Sequence, residues 1–303
     1  MTLNIQKRYM QTKTTSFIHA TQNVLVLRFR EIPTVGYDVP RARRSEYIYD
    51  KPQYRSVTLC RHTDPTLGTP NFGSDSSDFW VDYPFPQGVR YVLMARILES
   101  PHHIERCEDG WMATLNEPDA PELTVLATVV TSSESEDPLQ TARDILAQAE
   151  TSGIENLEHT HTDWWAQFWS RSFVSISDPF LSHLWHHALY HHAACHRGRY
   201  PPPIQTPWYL DDDQQLHGNY HGDINIQQTL WPVFASNHLE LGDPFLRLYS
   251  SCLDQLREQT RQTYGIDGIR FPVLTTPNMI DHAHLWPRYW MGISAWFASL
   301  FWE

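Results

Sequence analysis

PPPIQTPWYLDDDQQLHGNYHGDINIQQTLWP, residues 201–232, is the stretch whose reading decides the fold. Its three leading prolines exclude a helix interior, because proline lacks the backbone N–H and clashes with the preceding turn. The polar run through Asp211, Asp212 and Asp213 continues as loop, and from Ile224 the apolar spacing becomes helical. A loop that feeds a helix gathers side chains of several chemistries around one helix start. Here they are aromatic rings (Trp208, Tyr209, Tyr220), carboxylates (Asp211 to Asp213, Asp223), amides (Gln214, Gln215, Asn219, Asn225) and imidazoles (His217, His221). Such a set suits a sugar, whose C–H faces pack on rings while its hydroxyls need fixed donors and acceptors. An ordinary polar surface loop has much the same composition, so composition alone leaves both readings open.

Helical signals continue on both sides. Downstream, a helix is expected from Ile224 to about Glu240, kinked at Pro232. Asp243 and Pro244 then start another, carrying Phe245, Leu248, Tyr249, Cys252, Leu253 and Leu256 and stopped by Gly265. YGIDGIRFP (264–272) reads as loop, and a last helix from about Arg288 carries Trp290, Ile293, Trp296, Phe297, Leu300 and Phe301. Upstream, Asp137 and Pro138 open a helix with Leu139, Ala142, Ile145, Leu146 and Ala149 on one face, closed by Gly153. A second helix over 155–170 sets Leu157, Trp164, Trp165, Phe168 and Trp169 on a broad apolar side, spacing that assigns the tryptophans to a core rather than a sugar platform. Val174 and Ile176 read as a short extended piece. Asp178 and Pro179 repeat the start signal for a helix through His196. On it His183, His187 and His191 share a face, as metal ligands can. No carboxylate or thiolate completes a site and H-E-x-x-H is absent, so the histidines are assigned to packing among Leu184, Trp185 and Leu189, and no metal is expected.

From Asn23 to about Thr131 the pattern changes to period two and short apolar runs. NVLVLRFR, RSVTLC, RYVLMARIL and LTVLATVV are bounded by Pro, Gly, Asp or Ser and lack intervening helical patterns, which predicts an antiparallel sandwich. YDVPRARRSEYIYDKPQYR (37–55) reads as a solvated loop rather than a binding patch. The expected order is therefore β followed by α, with helical hairpins joined by long polar, aromatic loops. That suits a helical toroid with its functional loops on one face, or a plain bundle.

The 303 residues, 41% hydrophobic and 13% aromatic, suffice for one large domain or two ordinary ones. A net charge of −12 without a basic run argues against nucleic acid and anionic membranes as partners, whereas a neutral saccharide remains compatible. Cys60, Cys107, Cys195 and Cys252 are scattered without C-x-x-C pairing, so neither a zinc ribbon nor a disulfide framework is indicated. No apolar run reaches the length of a membrane span, and MTLNIQKRYMQTKTT lacks a signal-peptide core, which implies the cytoplasm if Met1 is the natural start. Oligomeric state has no signature.

PPPIQTPW resembles the PPNLQGIW pattern of glycoside hydrolase family 95, the α-L-fucosidase family, and HGDINIQQTLWP resembles its N-x-N segment followed by Trp-Pro. HTDWWAQFWSRS (161–172) and HHAACHRGRYPP (191–202) lie upstream in the same order. YGIDGIRFP and WMGISAWFASLFWE (290–303) lie downstream, the latter similar to the family's G-x-A-W…LWE stretch. The resemblance covers roughly residues 120–303, and shared order gives its short motifs their specificity. It implies part of an N-terminal β-sandwich over 1–131 whose early strands are missing, a helical linker over 132–177, and over 178–303 the first half of an (α/α)6 catalytic toroid. An apolar face would then be left unburied.

The resemblance further implies inverting hydrolysis of a terminal α-L-fucoside or related sugar in an oligosaccharide or glycoconjugate, without metal or organic cofactor. Glu303, of Phe301-Trp302-Glu303, matches the family's general acid, and Asn225 matches the second water-holding asparagine. Asp223 replaces the first. An amide orients water only through its carbonyl, whereas a carboxylate can also accept the proton, so Asp223 is a candidate base; capping the helix at Ile224 is the structural alternative. Gln205, Trp208 and Tyr220 carry over as sugar contacts. His221 is nominated by position, and Arg270 as a donor to hydroxyls or the partner of a carboxylate. Pro203, Thr206 and Leu216 depart from the family pattern and leave the fucose preference open. The alternatives are a six-hairpin glycosidase of another specificity and a non-catalytic carbohydrate-binding remnant.

Overall fold

The computed structural model describes residues 2–7, 10–30, 56–60, 69–86, 88–98, 102–107, 110–115, 122–203, 218–282, 289–290 and 292–302. Packing divides the chain into two units, Met1–Trp165 and Ala166–Glu303. The basic and aromatic segment 37–55 lies outside the described residues.

In the first unit the strands are β1 (Thr2–Lys7), β2 (Met10–Ile18), β3 (Leu25–Arg30), β4 (Ser56–Cys60), β5 (Asn71–Ser74), β6 (Asp78–Pro84), β7 (Arg90–Leu98), β8 (His102–Cys107), β9 (Gly110–Leu115) and β10 (Glu122–Thr131). They form an antiparallel sheet of order β1-β2-β3-β10-β7-β6-β5 and a second of order β4-β9-β8. Side chains alternate across the larger sheet. One face contributes Phe79, Ala95, Ile97, Leu123 and Val125 to a core shared with Leu59, Ile104 and Trp111 of the smaller sheet. The indole N–H of Trp111 donates to the Trp80 carbonyl at 3.0 Å, tying the two sheets. This is the expected antiparallel sandwich. β3, β4, β7 and β10 fall on the four runs named from sequence. β1 and β2 precede the expected start at Asn23, and β5, β6, β8 and β9 were not named either; of these, NFGS and HHIERC carry little apolar alternation.

The other face of the larger sheet, with Val26, Val92, Met94, Leu126 and Val130, is covered by α1 (Pro138–Ser152) and the start of α2 (Ile154–Arg171). Asp137 caps α1 by accepting from the Gln140 amide at 3.2 Å, and Gly153 ends it at φ 78°, a conformation that glycine adopts without a Cβ penalty. Ala142, Leu146 and Ala149 are fully buried, as their spacing predicts. Among these apolar residues lies Arg96. Its guanidinium forks onto Asp78 at 2.6 and 2.8 Å and reaches Glu150 of α1 at 2.7 Å, so the charge is matched where water is excluded.

In the second unit follow α3 (Pro179–Cys195), β11 (Tyr220–His221), α4 (Asn225–Ala235), a 3-10 helix (Leu239–Gly242), α5 (Asp243–Ser251), α6 (Leu253–Tyr264), β12 (Leu274–Thr275) and α7 (Gly292–Trp302). Asp178 caps α3 through the amides of Phe180 and Leu181. Several expected bounds are corrected. α4 stops at Ala235, where Asn237 turns left-handed (φ 57°) before the 3-10 helix, instead of reaching Glu240. Asp243 sits in helical conformation rather than capping, because the 3-10 helix runs straight into α5. The helix expected up to Gly265 is two, hinged at Cys252. Val174 and Ile176 lie in irregular chain, not in a strand.

The core of this unit is aromatic. Phe297 lies 5.5, 4.9 and 4.9 Å from Phe245, Tyr249 and Phe271 between ring centroids. Phe168 is buried and stacks on His238 at 3.8 Å, whereas Trp169 is half-buried. Phe180, Leu184, Trp231 and Trp302 are exposed. Along α3 the Nε2 atoms of His187 and His191 lie 2.9 Å apart, and the His183 ring stacks on that of His187. Among the described residues no group of three or more His, Cys, Asp or Glu is placed to hold a metal ion, and no helix is long and apolar enough to cross a membrane.

Candidate active site

The helix start at Asn225 is held by a two-residue strand pair. Tyr220 pairs with Thr275 and His221 with Leu274, so the chain entering α4 lies against the chain leaving α6. Gly222 extends the pairing by donating its N–H to the Val273 carbonyl at 2.7 Å. A Cβ at Gly222 would stand 2.8 Å from the Phe297 ring and 2.9 Å from the Pro272 carbonyl, so only glycine fits this approach.

Asp223 comes next, and its position separates the two roles open to it. The residue preceding the first turn of α4 is Ile224, and no side chain caps that turn. Asp223 is half-buried, and its Oδ1 is shielded from water without a hydrogen-bond donor among the described residues. A buried acceptor left unpaired costs about 1–3 kcal/mol, more if charged, so this oxygen is poised to take a hydrogen that the described residues do not supply.

Asn225 opens α4 and lines a small cavity of about 20 Å³ with His196, Pro201, Thr229 and Phe245. That is room for one water. His196 is 3% exposed, and its Nδ1 faces the His192 carbonyl at 3.0 Å. Burial, reinforced by His192, pushes its pKa down to about 3, and burial pushes His192 down to about 4. Both rings are therefore neutral across the ordinary pH range. Tyr220 is 3% exposed and donates its hydroxyl to the Pro201 carbonyl at 2.8 Å; burial raises its pKa, so the phenol keeps the proton that makes this bond. It joins the proline run to β11 and has its one donor committed there.

Arg270 lies apart from this group in the cavities that line it. It borders a cavity of about 250 Å³ with Gln259, Tyr264, Ile280 and Asp281. Its guanidinium donates to Asp281 at 2.6 Å and its backbone N–H to the Thr260 hydroxyl at 2.9 Å. Of the alternatives read from sequence, pairing with a carboxylate is the one observed, in a nearly buried setting. Gln205, Trp208, the Asp211 to Asp213 run and Glu303 lie outside the described residues. The structure thus brings together Tyr220, His221, Asp223 and Asn225.

Two residues of this neighbourhood escaped the sequence reading. His196 was assigned to helix packing with the other histidines, yet it faces the cavity of Asn225. Gln227 is fully buried and donates through Nε2 to the Gly222 carbonyl at 2.7 Å. Its signal was an amide in the register of the buried Ile226, Leu230 and Val233.

Residues 146–303 match the glycosyl hydrolase family 95 catalytic domain. Among solved structures, a candidate kojibiose phosphorylase from human microbiome is similar at 12% identity and a TM-score of 0.63, over 94% of this chain and 38% of that one. A bacterial glucoamylase complexed with acarbose is similar at 10% identity and a TM-score of 0.45, over 90% of this chain and 40% of that one. The first likeness shows the fold, and the chain spans well under half the length of either structure. No curated protein matches the sequence.

Proposed function

Because the chain belongs to glycosyl hydrolase family 95, by a match over just more than half of it, we propose that it serves inverting hydrolysis of a terminal α-L-fucoside or a related sugar. The observation that supports the reading is Asp223 Oδ1, a buried carboxylate oxygen with no donor among the described residues and no capping duty. In the proposed step a water held by the Asn225 side-chain carbonyl attacks the anomeric carbon and gives its proton to Asp223. The C–O bond to the leaving group breaks as that oxygen takes a proton from Glu303. Inversion needs the acid and base far enough apart for the water to fit between base and sugar, about 6.5–9.5 Å. His221, Gln205 and Trp208 are the proposed sugar contacts, with rings for C–H faces and polar groups for hydroxyls. Arg270 is proposed to act through the cavity it shares with Asp281 and Tyr264.

Full-length protein assayed on a panel of aryl glycosides, with the product anomer read by NMR, tests this. Asp223→Asn should lower kcat by about 10²–10⁴ and remove the acidic limb of the pH–rate profile. A variant that keeps both turnover and that limb would remove Asp223 from the base role. A panel on which wild type turns over no substrate would overturn the glycosidase reading.

A further inference from the structure

We infer that Gln227 is a positioning residue, the group that fixes the backbone ahead of Asp223; the inference rests on the reading of Asp223 as base. An amide inside a protein is tolerated where its hydrogen bonds are made, and Gln227, at 0% exposure, spends its donor on a single target, the Gly222 carbonyl at 2.7 Å. The bond sets the orientation of the amide, since the flipped form would oppose two oxygens.

Gly222 is held on its other sides as well. Its N–H is bound to Val273, and the ring of Phe297 and the carbonyl of Pro272 fill the place a Cβ would take. The peptide from Gly222 to Asp223 is thus fixed at its carbonyl by Gln227, behind by the strand pair and beside by the aromatic core. Asp223 keeps only the freedom of its own side chain. The bond spans the start of α4, so it ties that helix to the residue before Asp223 where no side-chain cap does so.

The Gln227 amide also leaves Oε1 buried without a donor among the described residues, as Asp223 leaves Oδ1. Two orphaned acceptors four residues apart in sequence, at the turn and on the helix behind it, are what O–H hydrogens of water or sugar would satisfy. A residue retained only for packing would be better served by leucine or methionine at this buried position.

The test uses the full-length protein and two variants. Gln227→Met keeps the length and removes the donor; it should lower kcat about 100-fold, the scale of a misplaced catalytic group, with KM within about twofold. Gln227→Glu can donate to Gly222 only when protonated, so its turnover should rise as pH falls through the titration of the introduced carboxyl, a second limb beside the one the general acid gives wild type. A packing role predicts a pH-independent loss in Gln227→Glu. Amide hydrogen exchange over residues 219–226 supplies a readout that needs no substrate, and Gln227→Met should speed it at least about tenfold. Faster exchange in a protein whose wild type hydrolyses nothing leaves the clamp standing and removes the glycosidase reading. An active wild type whose Gln227→Met variant keeps kcat within about threefold, or unchanged exchange, overturns the positioning role.

Discussion

Acidification from pH 7 to pH 5 should destabilise the helical unit chiefly through one pair of side chains, His192 and His196, with His191, lowered by burial and by His187, acting in the same direction. Their rings lie with centroids 3.8 Å apart, and burial holds their pKa values down to about 4 and about 3. In the unfolded chain each returns to about 6.5. Between roughly pH 6.5 and pH 4 the unfolded state therefore binds protons that the folded state refuses, and stability falls as pH falls. At about 1.4 kcal/mol per unit, the fall from pH 7 to pH 5 amounts to about 2 kcal/mol for each ring, or about 2–4 kcal/mol for the contacting pair. Lowered carboxylates act in a different window. At Asp75 burial pulls upward, but the Ser77 amide and Arg143 outweigh it and set about 2; at Glu240 burial likewise opposes and His238 prevails. Their contribution is lost only below about pH 4. Urea denaturation at pH 7 and pH 5, followed by tryptophan fluorescence, measures the effect, and His192→Gln/His196→Gln should flatten it. An equal fall in the double variant would refute the reasoning.

Two further outcomes concern Arg96 and Gly222. Arg96→Met should cost about 3–5 kcal/mol in urea denaturation, because Asp78, 1% exposed, loses the guanidinium that forks onto it and keeps only the more distant Arg143 at 3.7 Å among the described residues, and adding Asp78→Leu should recover most of that loss. Gly222→Ala should lower stability by about 1–3 kcal/mol, since its methyl meets a backbone carbonyl that has little room to move; an unchanged Tm would contradict the packing of Phe297.

The sequence was most readable where local rules met no competition. Asp137-Pro138 and Asp178-Pro179 start helices as their chemistry dictates, while the third copy, Asp243-Pro244, falls inside a path already turned helical by Leu239–Gly242. Local rules do not see what precedes them in space. The near-continuous apolar runs of β7 and β10 were legible because both faces of that sheet are covered, whereas β5 and β8 owe their existence to partners. At the site, the Asp-Ile-Asn run was legible as chemistry, but whether Asp223 capped α4 depended on a boundary that sequence leaves open by a residue or two. Tyr220 was nominated as a sugar contact, and its hydroxyl is turned inward to Pro201. Gln227 was silent because its role is a single bond to a backbone carbonyl, which no residue pattern announces.

The strand pair that frames this site is only two residues long on each side, and its smallness governs the order in which the protein assembles. Joining His221 to Leu274 closes a ring of chain that contains α4, α5 and α6, some fifty residues by their numbering. Closing such a ring from flexible chain costs about 3.5 kcal/mol of entropy, more than two such short strands return. The pairing therefore becomes favourable only after the intervening helices have already brought its ends together. Asp223 is set in place late in folding, and released early whenever α5 or α6 loosens, so substitutions in those helices reach the proposed base without touching it.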